Sequence, residues 1–404
     1  MSKRQRTYNF SLAVMTSFCL EYGNISARGF MMLAVYSLKL LIAIPFDLLQ
    51  RIFYGRKINT TKITKAPIFI IGHYRSGTTY MHTLLAKDER FASLSNYDMI
   101  CPCSSLLFGA GLKRFLQSVI NLFQIKTSMF NNKIPDLDEP AEEDRFLINK
   151  AAACTDYWGF LFPSNKDGLQ QCSAGLADDR NFNAWKSAYL ELLQLITYKH
   201  HGKQLVLKSP ANTMRIKYLL RIFPDAKFIY LYRNPYDVFY SMRNLWMRSI
   251  RKYCLQQVSK EAIAEIVLTH FAAMMEQYEK DKALIPPENL FELQYEQFEK
   301  DPFACIKEIY ETLGLPSFDA FSESLGKQVC KERAYQKFRH KRDAGTTEAI
   351  GMRWEKYIKQ WKEHNDRNMK LPGELNVQAC DARDDAMKAY RPDQQLPAYS
   401  NAIL

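Results

Sequence analysis

Apolar positions along the chain gather into four short runs separated by longer stretches of helical spacing. The runs are Ile68–Ile71, Leu205–Leu207, Lys227–Tyr232 and Leu290–Leu293. The two continuous runs, Ile68–Ile71 and Leu205–Leu207, predict buried strands, and the other two, which include Lys227 and Glu292, predict a third and a fourth strand. Spacings of three and four between apolar residues predict helices beginning at Thr78 and spanning Asn181–His201, Thr213–Phe223 and 260–283. Others follow Asn234, cover Phe303–Leu313 and carry Trp354, Tyr357 and Trp361 near the end. Strands alternating with helices predict an α/β fold, with a central, mainly parallel sheet flanked by helices.

The two ends have a different texture. Residues 1–65 hold basic Lys3, Arg4 and Arg6, an apolar run from Phe10 to Leu20, and a nearly all-apolar stretch from Gly29 to Leu49. Lys39 lies inside that stretch, and Pro45 with Asp47 is expected to interrupt its final turns, both of which count against a simple membrane span. Three readings stay open: helices lying on a membrane surface, helices packed on the protein's own core, or a true span. No small-residue cleavage site follows the first apolar run, so a signal peptide is not expected. Beyond about residue 370 the chain is polar, with scattered Pro and Asp. The expected organisation is an apolar N-terminal segment (1–65), one catalytic domain (66–365) and a polar tail (366–404).

Residues 95–180 lose clear periodicity apart from a helical stretch near Gly111–Ile125. They contain the acidic run Asp136–Asp144 and the aromatics Phe108, Phe115, Phe123, Phe130, Tyr157, Trp158, Phe160 and Phe162. An insertion at this point lies near the carboxyl ends of parallel strands, where ligands bind. Its aromatics are expected as core, as acceptor pocket, or as both.

The chemistry centres on Gly72-His73-Tyr74-Arg75-Ser76-Gly77-Thr78-Thr79-Tyr80, which follows the first strand and opens a helix. Strand, glycine-bounded loop and helix start together point backbone N–H groups and a helix's positive end at a phosphate. The spacing is that of a nucleoside-triphosphate loop, except that Thr78 stands where the lysine should be. The next strands end in Lys208 and Arg233, so three cations line one sheet edge. Such an edge suits a ligand with phosphates at two separated places. A kinase also needs an acidic residue at a strand end to hold Mg²⁺, and here that place belongs to Arg233. Fixed cations, with no metal, are therefore expected to neutralise the ligand.

The bulk properties agree. The 404-residue chain carries a formal net charge of +12, which predicts an anionic partner. Nine scattered cysteines form no disulfide framework or zinc pattern, Cys101 and Cys103 included, and favour a reducing compartment.

These motifs resemble the sulfotransferases that use 3′-phosphoadenosine-5′-phosphosulfate (PAPS), especially the bacterial-type branch. The family's first motif, G-x-x-R-S/T-G-T-T, is matched by Gly72–Thr79, with Leu84, Leu85, Ala86 and Asp88 following in place. Its second, F-P-D-A-K-F-I and then R-N-P-x-x-V-x-x-S, is matched by Phe223–Ile229, Arg233–Pro235, Val238 and Ser241. The acidic element Pro140, Glu142, Glu143, Asp144 and the element Lys208–Thr213 are also similar. The likeness covers roughly 66–360 and implies the sulfotransferase fold with its nucleotide-loop-like core.

By this resemblance Arg75, Ser76, Gly77, Thr78 and Thr79 cradle the 5′-phosphosulfate, and Tyr80 falls where relatives place an aromatic against adenine. Arg233 and Ser241 hold the 3′-phosphate, and basic residues in 337–341 close over it. Lys208 sits near the transferred oxygens. Many eukaryotic relatives place a histidine base shortly after this lysine, but Asn212 occupies that neighbourhood here. The expected base is a carboxylate, Glu142 first, then Glu143 or Asp144, with His73 a further candidate. The implied reaction is sulfuryl transfer from PAPS to a hydroxyl acceptor, leaving adenosine 3′,5′-bisphosphate, with Arg75, Lys208 and Glu142 as catalytic residues. The aromatic insertion and apolar N-terminus suggest a lipid-like alcohol such as a sterol, or a phenol. The expected location is cytoplasmic, with peripheral membrane contact through 1–53 and no nucleic-acid partner. The rival readings are a nucleotide or small-molecule kinase and a non-enzymatic basic binding protein.

Overall fold

The computed structural model describes residues 16, 19–101, 105–124, 134–147, 157–164, 175–333 and 342–368. Two compact units are distinguished, Met1–Lys362 and Glu363–Leu404, and the first carries the sheet. Cys103, Phe130, the basic stretch 337–341 and the polar tail lie outside the described residues.

Five parallel strands form one sheet: β1 (Ile68–Ile71), β2 (Phe91–Ala92), β3 (Gln204–Lys208), β4 (Lys227–Tyr232) and β5 (Leu290–Gln294). Their order is β2-β3-β1-β4-β5. β1 is central, with Ile70 beside Lys208 on one flank and Ile71 beside Tyr230 on the other. The four expected strands are present, and the two-residue β2 is too short to leave a periodic signal.

Alternate side chains of each strand enter opposite cores. Phe69, Ile71, Leu205, Leu207, Phe228 and Tyr230 face one cluster, which includes Trp185, Tyr189 and Leu192. Ile68, Ile70, Val206, Ile229, Leu231 and Leu293 face the other, with Met81, Leu84, Ile306 and Ile309. Both faces are apolar because helices cover both, as a parallel sheet requires.

The main helices are α1 (Ala27–Thr60), α2 (Thr78–Leu85), α3 (Ser105–Leu122), α4 (Asp179–Lys199), α5 (Pro235–Leu245), α6 (Lys260–Asp281), α7 (Pro302–Thr312), α8 (Asp319–Arg333), α9 (Ala344–Arg353) and α10 (Glu355–Asn368). The helix expected over Thr213–Phe223 is two pieces, a 3₁₀ turn at Pro210–Met214 and a short helix at Ile216–Leu220. Pro210 and the local contacts of Asn212 and Thr213 shape the first piece around the loop beside it.

The N-terminal segment corrects an expectation. Pro45 and Asp47 do not interrupt it, because α1 runs unbroken through both. Asp47 is buried and accepts from Arg51 Nε one turn on at 2.7 Å, while the Gln50 carbonyl accepts the Leu106 N–H at 3.1 Å. The polar residues of this half therefore face the protein, and their partners support the turn that proline weakens. Both ends of α1 are tied down. Ser26 N–H donates to the Leu255 carbonyl at 2.9 Å, and near the other end Ile58 enters the main core.

The acidic segment is bolted beneath the strand ends. Arg215 and Asp144, both fully buried, pair at 2.8 Å, and Ser209 Oγ donates to the same carboxylate at 3.2 Å. Replacing Arg215 by Met strands the Asp144 charge, and the expected cost is about 3–5 kcal/mol. Urea unfolding reads this as a lower midpoint at unchanged slope. Adding Asp144→Leu to that variant should recover much of the loss, and no recovery would count against a simple ion-pair bolt.

Candidate active site

The loop between β1 and α2 is held open by backbone conformations few residues adopt. Gly72 and Gly77 have φ of 137° and 97°, and Arg75 itself is left-handed at 70°. A Cβ on Gly77 would stand 2.2 Å from the Tyr295 ring, and one on Gly72 would stand 2.2 Å from the Leu231 carbonyl. Both positions therefore require glycine. Arg75 has no such exemption, and strain of this kind clusters at ligand clamps. The loop is pinned from within by Ser76 Oγ on the His73 carbonyl at 2.7 Å. From β3's side, Thr213 Oγ1 accepts the Gly72 N–H at 2.8 Å. Gly77 caps α2 with no side-chain acceptor, so the first-turn N–H groups of Thr78, Thr79 and Tyr80 are offered to a ligand.

The three strand-end cations converge here, as expected. Arg75 is exposed and its Nε donates to Ser241 Oγ at 2.8 Å. Arg233 donates to the Arg75 carbonyl at 3.2 Å and lies 4.5 Å over the Tyr295 ring. Lys208, nearly fully buried, donates from Nζ to Glu142 Oε1 at 2.5 Å and Thr79 Oγ1 at 3.2 Å. The structure thus joins Arg75 to Ser241, Arg233 to Arg75, and Lys208 to Thr79 and Glu142. Tyr80 is partly buried, its ring 5.1 Å from Phe298.

The acidic triplet divides by function. Glu143 is fully buried and consumed by structure. Its carboxylate accepts the Lys208 N–H at 3.1 Å, Asn212 Nδ2 at 2.6 Å and Tyr189 OH at 3.1 Å. Burial and the neighbouring Asp144 charge push its pKa up to about 7, against these donors. Asp144 is engaged by Arg215 and Ser209. Glu142 alone of the three meets Lys208 Nζ. Burial would raise its pKa, but Lys208 and Arg145, with hydrogen bonds from Lys208 and Tyr157, hold it down at about 2. His73 points behind the loop. Its Nδ1–H donates to the Tyr74 carbonyl at 2.8 Å, the ring lies 5.0 Å from Phe271, and burial lowers its pKa to about 3.

Four partners were not anticipated: Tyr157 and Arg145 beside Glu142, and Tyr295 and Glu296 beside Arg233 and Asn234. Tyr157 OH donates to Glu142 Oε2 at 3.0 Å and accepts from Arg145 Nε at 2.6 Å, so a chain runs from Arg145 through Tyr157 and Glu142 to Lys208. Tyr157 lies in the stretch without periodicity, and only its acidic neighbour gave a signal. Tyr295 and Glu296 follow β5 directly, where Glu296 accepts the Asn234 N–H at 2.9 Å. The rule that found Arg75, Lys208 and Arg233 at strand ends would have found these as well.

Comparison with known proteins agrees with this geometry. A relative from Mycobacterium bovis, omega-hydroxy-beta-dihydromenaquinone-9 sulfotransferase Stf3, is 28% identical over 288 residues, covering 71% of this chain and 72% of its own. Two solved structures share the fold. Sulfotransferase STF9 from Mycobacterium avium has a TM-score of 0.69 at 17% identity, covering 89% of this chain and 92% of its own. Sulfotransferase STF1 from Mycobacterium tuberculosis has a TM-score of 0.65 at 19% identity, covering 81% and 88%. The family model described as the sulfotransferase family matches residues 67–320, from the residue before β1 to the start of α8, and the chain belongs to that family.

Proposed function

We propose that this sulfotransferase moves a sulfuryl group from PAPS to the hydroxyl of a lipid-like alcohol, with Glu142 as the base. The observation that carries the reading is the Lys208–Glu142 pair beside Thr79, between the loop and the inserted segment. The donor fits the residues present. Uncapped N–H groups and Arg75 suit one anionic group, and Arg233 with Ser241 suits a second on the neighbouring strand end.

When bound, PAPS supplies a sulfuryl group on a phosphoanhydride whose leaving group is already anionic. Arg75 and Lys208 are placed to neutralise charge gathering on the leaving and transferred oxygens. Glu142 is placed to take the acceptor proton, and Tyr157 with Arg145 fixes its carboxylate in one orientation. A carboxylate held at about 2 is a weak base, so this assignment needs a change at Lys208. An anionic donor supplies one, because Nζ turned toward it no longer neutralises Glu142, and the carboxylate then becomes more basic.

The acceptor class rests on the aromatic insertion, the apolar surface described below, and the hydroxylated menaquinone in the relative's name. Contact with a membrane through 1–53 belongs to the same reading, as does a cytoplasmic location, which the free thiols of Cys19, Cys101, Cys254, Cys305 and Cys330 suit. The kinase alternative has no specific residue in its favour, since Arg233-Asn234 ends β4 where a Mg²⁺ acid would stand.

Glu142→Gln should lower kcat by roughly 10²–10⁴-fold while leaving adenosine 3′,5′-bisphosphate affinity within a few-fold. Arg233→Ala should weaken that affinity by about 10–100-fold, the worth of a charge-assisted contact. Isothermal titration and turnover with PAPS and a hydroxylated isoprenoid check both, and full activity of Glu142→Gln would remove it as base.

The pH profile gives a second check. With Lys208 on Glu142 the carboxylate stays ionised down to about pH 2, so kcat/KM for PAPS should show no acid limb from it. Loss of the cationic neighbour raises a carboxylate pKa, so the acid limb of kcat should lie at higher pH than that of kcat/KM. Coincident acid limbs would contradict the exchange of Lys208.

A further inference from the structure

The outward faces of α1 and α3 are apolar and uncovered. On α1, Phe30, Val35, Leu38, Ile42, Ile52 and Phe53 are each more than half exposed. They recur at helical spacing along the side opposite Asp47, Gln50 and Ile58. On and just after α3, Phe115, Leu122 and Phe123 are exposed by 63%, 77% and 70%. Phe115 and Phe123 are therefore not core. The two faces join where Phe46 and Phe108 meet edge to face at 5.5 Å, beside the Gln50–Leu106 hydrogen bond.

We infer that α1 and α3 form one two-helix plate that seats the enzyme flat on an anionic lipid leaflet. Charge argues for that occupant. The two helices carry Arg28, Lys39, Arg51, Arg56, Lys57, Lys113 and Arg114 against their own Asp47; Arg51 is paired with Asp47 and Glu191 and Lys113 with Asp138, which leaves the remaining five as the surplus of positive charge. Such a surface, apolar with a basic surround, matches anionic headgroups over acyl chains. A second copy of the chain would face the same positive charge.

Geometry argues for lying flat. α1 has the length and composition of a membrane span. At 34 residues it is about 51 Å long, against roughly 30 Å of hydrocarbon. It is also held along its length. A Cβ on Gly29 would fall 2.2 Å from the Leu255 carbonyl, so the helix start is pressed onto that segment, while Met32, Leu33 and Tyr36 pack on Trp158 and Phe162. Crossing the bilayer would require stripping these contacts.

The seat also lies next to the chemistry. Trp158 and Phe162 of the 157–162 turn meet α1, while Tyr157 of the same turn donates to Glu142 and Phe160 packs 5.5 Å from Tyr74 of the loop. The thickness of α1 and the one short helix at Tyr157–Leu161 thus separate the leaflet from Glu142. Delivery of the acceptor from the membrane rests on the lipid-like acceptor proposed above, whereas the seat itself does not.

The test is co-sedimentation of the full chain with vesicles of phosphatidylcholine, alone or mixed with phosphatidylglycerol. The native protein should bind the mixed vesicles, more weakly in high salt, and should be released by alkaline carbonate. Two paired variants, Leu38→Ser with Ile42→Ser on α1 and Phe115→Ser with Leu122→Ser on α3, should each bind roughly tenfold or more weakly. The thermal shift with adenosine 3′,5′-bisphosphate should persist in both variants, which reports the fold. Binding insensitive to the α3 pair would overturn the two-helix plate, and resistance to carbonate would overturn the flat seat. Absence of vesicle binding, with a dimer that the same substitutions dissociate, would assign the face to a second copy. If the native chain binds vesicles but not the bisphosphate, the donor assignment fails and the seat stands.

Discussion

The strand-end architecture depends on two buried carboxylates whose partners are other parts of the protein. Glu143 takes the backbone N–H of Lys208, and Asp144 takes the Arg215 guanidinium. Between them they fix both the last residue of β3 and the turn that carries Thr213 to the Gly72 amide. Neither carboxylate is tolerable underground alone, because an unpaired buried charge is expensive. Their satisfaction by partners seven residues apart on one segment keeps that segment in a single arrangement. The inserted acidic run is thereby locked to the sheet with its first member, Glu142, left facing Lys208.

This arrangement distributes three cations without letting any of them drift. Arg75 is held by Ser241, Arg233 by the Arg75 carbonyl and the Tyr295 face, and Lys208 by Glu142 and Thr79. Arg75 and Arg233 already occupy the edge of the loop, whereas Lys208 rests on Glu142 and has to turn from it to meet an anion. Preorganisation of the kind the two arginines show is the usual source of electrostatic catalysis. Keeping Lys208 on a carboxylate has a consequence, since the same pair that orders the lysine suppresses the basicity of Glu142. In the proposed reaction, donor and Glu142 are therefore coupled through one ammonium group.

What the sequence made legible follows from how local each signal is. β1, β3 and most of β4 were readable because a strand buried on both faces must be continuously apolar, and β5 was readable from Leu290, Phe291 and Leu293 although Glu292 is exposed. The cations at their ends were readable because parallel strands finish at one edge. The sorting of Glu142, Glu143 and Asp144 was not readable, since their roles depend on Arg215, Asn212 and Lys208, which lie about 65 to 70 positions away. Tyr157 was hidden for a different reason: its partners Glu142 and Arg145 are only 15 and 12 positions away, but the stretch between them has no periodicity that would place them together. A two-residue strand such as β2 has no period to detect, and the break at Arg215 is set by contacts of Thr213 and Asn212 rather than by propensity.

Residues 27–60 show the limit of composition in another way. Proline and aspartate within an apolar run were signs of interruption, yet both lie in an unbroken helix. The reason is that composition averages over the faces of a helix, whereas structure separates them. Asp47 and Gln50 point inward to partners, so the outward face is more apolar than the segment as a whole. A polar residue inside an apolar helix thus carries opposite meanings depending on its face. Toward lipid it opposes membrane contact. Toward protein it anchors the helix and leaves the other side free for lipid. In α1 the inward polar face is the anchoring one: Asp47 holds Arg51 of the same helix, Arg51 reaches Glu191, and Gln50 takes the Leu106 N–H, so these contacts tie the helix to the domain.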